Sequence, residues 1–368
     1  MKKRYPLLFI ILILISVGCV ETTTREKAEW EMFHGNLENT GAVKNALSPP
    51  LSIIWKDQAG DNVYSSPAIS NGVVYVGSND GNVYALDAKD GTMKWNYTTN
   101  FFVSSSPAVH EGVVYVGSWD KNFYALDAAT GEMIWKKDIG AVSASSPAIY
   151  NDRVYIGGGG TVYALNTVDG SIVWSYKIRE MITSSPAVSN GVVYIGAWDK
   201  NLYAFDAEDG SLKWKYTADN FIYSSPAVYE NVVYVGSVDG NVYALDAATG
   251  ELIWEYTTGD AIYSSPAVFE RTLFIGSADN NVYALDTGTG ELIWEYTTGD
   301  AIYSSPAVDG ESVYIGSNDN NFYMLDASDG SLRWKFSTGG AIASSPAITD
   351  GVVYVGSRDA NIYAFEGS

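Results

Sequence analysis

The amino-acid sequence predicts an all-β fold: an eight-bladed β-propeller of four-stranded antiparallel blades, the last blade closed by the N-terminal strand. Three observations predict it. The string Ser-Ser-Pro-Ala recurs with its proline at Pro67, Pro107, Pro147, Pro186, Pro226, Pro266, Pro306 and Pro346, an interval of 40 residues broken by one of 39. Each interval holds four short runs rich in Val, Ile, Tyr, Phe and Trp, separated by Gly, Asp and Asn, the composition of strands and turns. The eighth unit stops after its third run, while a fourth-strand pattern stands unused ahead of the first unit. A length of 368 residues would by itself suit two domains, but a period near 40 with four strands per unit signals blades around one axis.

The unit at residues 264–300 shows the pieces in order: SSPAV, TLFIGS, NVYALD and LIWEYTT. The second run, as in residues 73–77 or 232–236, is apolar throughout. Both its faces must therefore be covered, as they are when every blade packs between two others. The third run ends in Asp or Asn, a Thr-Gly or Asp-Gly turn follows, and Trp stands four residues beyond the glycine; in the sixth unit these are Asp286, Thr289, Gly290 and Trp294. In the eighth unit the tryptophan is missing, and Trp55 in residues 51–56 (LSIIWK) supplies it. Pairing of that segment into the last blade closes the ring and removes the open strand edges that invite aggregation.

This Ala-x-Asp-x-x-Thr-Gly-x-x-x-Trp repeat resembles that of the quinoprotein (PQQ-type) propellers over residues 51–368. The resemblance implies that each tryptophan docks on the turn of the neighbouring blade, a role it assigns to Trp95, Trp135, Trp174, Trp214, Trp254, Trp294 and Trp334, with Trp55 completing the eighth. Residues 30–41 (WEMFHGNLENTG) resemble the lead-in of such proteins and are expected to pack outside the ring. True quinoprotein dehydrogenases hold their cofactor with an adjacent cysteine pair and long insertions between blades. Neither feature is present, since Cys19 is the only cysteine, so no cofactor is expected.

The chain starts with Lys2, Lys3 and Arg4 and an apolar run over residues 7–17, too short to span a bilayer comfortably. Residues 1–18 read as a signal peptide with Cys19 as the first mature, lipidated residue, which would hold the protein at a membrane without crossing it. Residues 19–50 then form a tether and the lead-in, and residues 51–368 the propeller. Export to the outer face of the cytoplasmic membrane, or to another envelope membrane, follows. Loss of the signal removes three positive charges and takes the formal net charge from −21 to −24. An acidic surface with no basic stripe repels phosphate backbones, which excludes nucleic acid as a partner.

Catalytic chemistry finds little to work with. His34 and His110 are the only histidines, too few for a histidine-based metal cluster or a nucleophile-base triad, so neither a catalytic residue nor a metal site is expected. The carboxylates are periodic: Asp80, Asp120, Asp199, Asp239, Asp279, Asp319 and Asp359 recur in one turn, and Asp87, Asp127, Asp206, Asp246, Asp286 and Asp326 end the third strand. Residues repeated at every blade read as turn devices bonding nearby backbone. Calcium binding is the other reading of those turns.

Positions that break the repeat are better site candidates. Just before Ser-Ser-Pro-Ala the series runs Tyr64, Ser104, Ala144, Thr183, Tyr223, Tyr263, Tyr303 and Ala343, aromatic on one arc and small on the other. In the turn between the second and third strands, at the same end of the ring, Trp119 with Lys121 and Trp198 with Lys200 stand in Trp-Asp-Lys-Asn sequences, flanking the short glycine turn at residues 157–160. These side chains either fill the channel and cover neighbouring turns, or stack on a sugar, a peptide or a partner protein.

Three functions follow in order. The first is a noncatalytic, membrane-tethered scaffold or binding module, monomeric as a ring, for an envelope or cell-surface protein. A compact ring of this repeat behind a lipid signal also resembles the BamB-like lipoproteins, whose ring implies a scaffold for assembling envelope proteins. The second is a surface receptor for a glycan or small molecule at the channel mouth. The third is a PQQ-dependent dehydrogenase.

Overall fold

The computed structural model describes residues 29–44, 46–142 and 144–367. The signal segment and Cys19 lie outside them. The chain forms eight four-stranded antiparallel sheets set around an axis, as the repeat predicts. Blade 1 runs outward from the axis as Ala68–Ser70, Val73–Gly77, Asn82–Asp87 and Met93–Thr98, and blades 2 to 7 repeat it. Blade 8 joins Ala347–Thr349, Val352–Gly356 and Asn361–Glu366 to the N-terminal strand Ser52–Gln58, with Trp55 opposite Ala364.

Burial follows position in the blade. The second and third strands are buried almost throughout, while the outer strand buries its tryptophan and exposes the residues on either side. Each second strand ends in a glycine, although glycine weakens a strand. The reason is the next blade: a Cβ at Gly236 would lie 2.3 Å from the Ile262 side chain, and the equivalent glycines of all eight blades are approached to 2.2–2.4 Å by Val or Ile. Val63 fills this role against Gly356, so the wedge series closes around the ring.

The tryptophans form a second circular series. Trp55, Trp95, Trp135, Trp174, Trp214, Trp254 and Trp294 each donate the indole N–H to a carbonyl in the next blade's hairpin at 2.9–3.0 Å. The ring of each lies on the hairpin glycine, so that a Cβ there would stand 2.5–2.8 Å away, and the same glycines have φ of +67° to +76°. In blades 1 to 5 and 8 the second-strand tyrosine shares that carbonyl, as Tyr75 does at Ala128.

Trp334 departs from the expected role. Blade 8 takes its outer strand from the other end of the chain, so it has no hairpin for Trp334 to meet. Trp334 packs instead on Phe322, Phe336 and Phe365. Tyr314, also without a hairpin carbonyl, donates to Asp309 Oδ2 at 2.6 Å. Asp309 is buried and also accepts the backbone N–H groups of Leu47, Glu311 and Ser312. One aspartate therefore ties the seventh blade to the segment leading into the closing strand.

The lead-in does not lie outside the ring. It crosses the end of the channel at which the inner strands finish, and the reason is hydrogen bonding. The inner strands turn unpaired N–H groups toward the axis, and buried donors need partners. The carbonyls of Trp30, Glu31, Leu37, Glu38, Thr40 and Gly41 accept from Ile69, Val109, Val188, Val228, Val268 and Val308 at 2.7–2.9 Å. Asn39 donates its side-chain amide to the carbonyls of Pro186 and Pro226. A short 3-10 turn, Phe33–Gly35, sits in the middle, with buried His34 at φ 53°.

His34 donates its Nδ1–H to the Asn39 carbonyl, while Nε2 has no partner. Burial holds its pKa down at about 4, against 6.5 in a free histidine. As pH falls the unfolded chain takes the proton first, so the stability due to the neutral ring is complete above about pH 6.5 and is lost toward pH 4. The shift corresponds to on the order of 3 kcal/mol. Glu31 opposes it: burial, then the hydrogen bond its protonated carboxyl donates to the nearby Glu29, raises its pKa from 4.5 to about 7, so its contribution is present below pH 4.5 and lost as pH rises through 7. Thermal melts between pH 7 and 4.5 are expected to show an acid loss that is steeper in Glu31→Gln than in the wild type and reduced in His34→Asn. Parallel curves for the two variants would contradict this assignment.

Candidate functional site

With one end closed by the lead-in, the axis holds a blind cavity of about 640 Å³ opening at the other end. Its base is Phe33. Its wall is a ring of serines, the second of each Ser-Ser pair: Ser66, Ser106, Ser146, Ser185, Ser225, Ser265, Ser305 and Ser345. The backbone N–H of each donates to the hydroxyl of the next at 2.8–3.1 Å, and Ser345 donates back to Ser66. This cycle explains why serine occupies the position. The first serine of each pair is also structural; Ser264, for example, accepts the N–H of Gly276.

Above the serines the two arcs differ. Tyr64, Tyr223, Tyr263 and Tyr303 line the cavity. Tyr263 meets Tyr223 and Tyr303 edge-on at 5.4 and 5.0 Å between ring centres. Burial raises the phenol pKa of Tyr223 and Tyr263, and their mutual proximity adds to it for Tyr223. Opposite, Ser104, Ala144 and Thr183 leave the wall open.

Beyond that open arc Trp119 and Trp198 line the mouth, joined by Phe102 and Met181. The loop and turn are locked together, because the N–H groups of Trp119, Trp198 and Val238 donate to the carbonyls of Phe102, Met181 and Phe221. Trp198 also donates its indole N–H to Thr183 and stacks on Phe221 at 5.3 Å. Phe101, Phe102, Trp119, Met181 and Phe221 are all exposed. Lys121 and Lys200 stand apart from the cavity. They occupy the left-handed turn position, φ 77° and 74°, that Gly81 and Gly240 hold elsewhere, and Lys200 donates to the Asp219 carbonyl.

The turn aspartates work as clamps between blades. Asp80 accepts from Tyr84 at 2.5 Å and from Asn82 and Gly60, the last in the loop arriving from the preceding blade. Burial works against the charge, but these donors outweigh it and hold the Asp80 carboxyl below its usual range. Asp199 likewise accepts from Tyr203. Among the described residues no group of three or more His, Cys, Asp or Glu is placed to hold a metal.

Sequence reasoning missed Phe101, Phe102, Met181, Phe221 and Arg358. For the middle three a signal existed: two positions before the tyrosine series, blades 6, 7 and 8 carry Ala261, Ala301 and Ala341 where these large side chains stand. Arg358 holds in blade 8 the turn position of Trp119 and Trp198, and its guanidinium lies 4.9 Å from the centre of the Tyr64 ring.

Circular closure, indole-on-glycine docking and the axial cavity define a propeller of the PQQ type. The protein-family profile described as outer membrane protein assembly factor BamB matches residues 41–197 and 278–368, and the chain belongs to that family. A second profile, the β-propeller of β-alanine-activating enzyme, matches residues 150–310. The outer membrane protein assembly factor BamB of Burkholderia pseudomallei is 38% identical over 66 residues, 17% of each chain, so the matched stretch is a small part of that relative. Among solved structures, BamB from Moraxella catarrhalis superposes with a TM-score of 0.74 at 21% identity, over 86% of this chain and all of that one. Quinohemoprotein alcohol dehydrogenase from Comamonas testosteroni gives 0.80 at 15% identity, over 93% and 81%. A europium-containing methanol dehydrogenase gives 0.79 at 15%, over 92% and 98%. At these identities the structural likeness speaks for the fold alone. Among the described residues no Asp, Glu, His or Lys lines the cavity, so its hydroxyl-bearing and charged side chains are the tyrosines, the serines, Thr183 and Arg358. No helix among the described residues is long and apolar enough to cross a membrane.

Proposed function

We propose that this chain is a noncatalytic scaffold, exported and tethered through lipid on Cys19 to an envelope membrane, that binds another envelope protein during its assembly. The observation that carries the reading is the apolar crest of Phe101, Phe102, Trp119, Met181, Trp198 and Phe221 over blades 2 to 5. Contiguous exposed aromatic surface on a soluble ring marks an interaction site, and Trp and Phe anchors dominate binding energy at such sites. Membership of the BamB family and a cavity lining that, among the described residues, holds no Asp, Glu, His or Lys support a binding role over a catalytic one.

Photo-crosslinking in intact membranes tests it. A photoreactive residue at position 102 or 221 is expected to join the chain to one envelope protein, and Trp119→Ala with Trp198→Ala to reduce that adduct at least tenfold. A probe at exposed Ile253 on the outer strand serves as control. Equal yields from position 253 and the crest, or an adduct indifferent to both indoles, would overturn the assignment. The alternative, a receptor for a glycan or small molecule, draws on the size of the axial cavity.

A further inference from the structure

The cavity has an electrostatic character opposite to that of the molecule. The chain carries 43 acidic and 22 basic residues, yet among the described residues Arg358 is the only charged side chain lining the cavity. Among the described residues Arg358 forms no ion pair, and its Nε is buried without a hydrogen-bond partner. A partly buried guanidinium left unpaired is costly and favours an anion with acceptor oxygens. The serine ring adds to this. Each of its hydroxyl oxygens already accepts a backbone N–H, and none of the hydroxyls donates to another described residue, so their protons are available to an acceptor inside the cavity.

Shape narrows the occupant. The lead-in and Phe33 close the cavity below, so a chain cannot thread it, whereas a chain end can enter from the mouth. An amino terminus would bring a positive charge to Arg358; a carboxyl terminus brings the complement. The open arc joins the cavity to the crest, so Trp119, Trp198 and Met181 border the same space as Arg358. A small carboxylate would use only the axial part of that space.

We propose that the axial cavity is a socket for the C-terminal carboxylate of an extended polypeptide, its last apolar side chains lying along the tyrosine and tryptophan walls. The proposal rests on the binding role given above and adds the partner's chain end to it. Capture of a terminal carboxylate by clustered donors is an established mode of peptide recognition.

The test uses the full chain in detergent and fluorescence polarisation of a labelled apolar pentapeptide ending in leucine, as free acid and as C-terminal amide. The acid is expected to bind at least tenfold tighter than the amide. Arg358→Gln is expected to abolish that difference, while Trp119→Ala weakens both forms. Phenylpropionate at equal concentration is expected not to displace the peptide. Equal affinity of acid and amide, absence of binding up to millimolar peptide, or displacement by phenylpropionate as effective as by unlabelled peptide would overturn the socket, the last result assigning it to a small carboxylate. Crest-dependent crosslinks that persist in Arg358→Gln would leave the scaffold standing without the socket.

Discussion

Deletion of residues 50–57 is expected to give a chain that no longer melts cooperatively and that aggregates on expression. The segment supplies most of the outer strand of blade 8, and without it Asn361–Glu366 becomes an open edge. Trp55 goes with it, and so does the indole that covers Gly91 and bonds Ala88 in blade 1. Burying an indole of roughly 200 Å² is worth up to about 5 kcal/mol, comparable with the whole stability of many domains, about 5–15 kcal/mol. A regular hairpin and fourth strand grafted after residue 367, copied from residues 247–257, is expected to restore cooperative melting, because the ring requires the strand and not its place in the chain. Differential scanning calorimetry with sedimentation checks both. A monomeric deletion variant with a wild-type transition would refute closure by this strand.

Asp309→Ala is expected to destabilise the protein by about 3–5 kcal/mol, the second largest effect. The carboxylate serves four donors, and those of Leu47, Ser312 and Tyr314 are buried. Each buried donor left without a partner costs about 1–3 kcal/mol. The loss falls at the junction of blades 7 and 8, where the indole-to-hairpin contact is absent. Urea denaturation measures it. Tyr314→Phe removes one donor and the need for its acceptor together, so it should cost about 1 kcal/mol or less. A loss below 1 kcal/mol for Asp309→Ala would show that the indole-free junction is held by the aromatic cluster around Trp334 alone.

The two losses differ in how visible they were beforehand. Trp55 stood out because it repeats the spacing of seven other tryptophans. Asp309 did not, since aspartates are everywhere in the turns and one of its buried partners, Leu47, lies 262 residues away. The same contrast holds at the candidate site. Trp119, Trp198 and the four tyrosines broke the repeat in plain sight, and they do line one cavity. Lys121 and Lys200, singled out beside the indoles, serve the turn backbone.

What the sequence determined by itself was everything that recurs: the number of blades, the strand order, the closing strand and the docking tryptophans. Local pattern suffices there, because each unit solves the same packing problem against an identical neighbour. Only the tertiary structure decided what happens where neighbours differ or where the axis is reached. It placed residues 30–43 across the channel, since unpaired inner-strand N–H groups converge there from blades distant in sequence. It turned Trp334 to an aromatic cluster, since blade 8 has no hairpin. It also brought one arginine, nine serines and four tyrosines into a single blind cavity, a convergence that no spacing along the chain expresses.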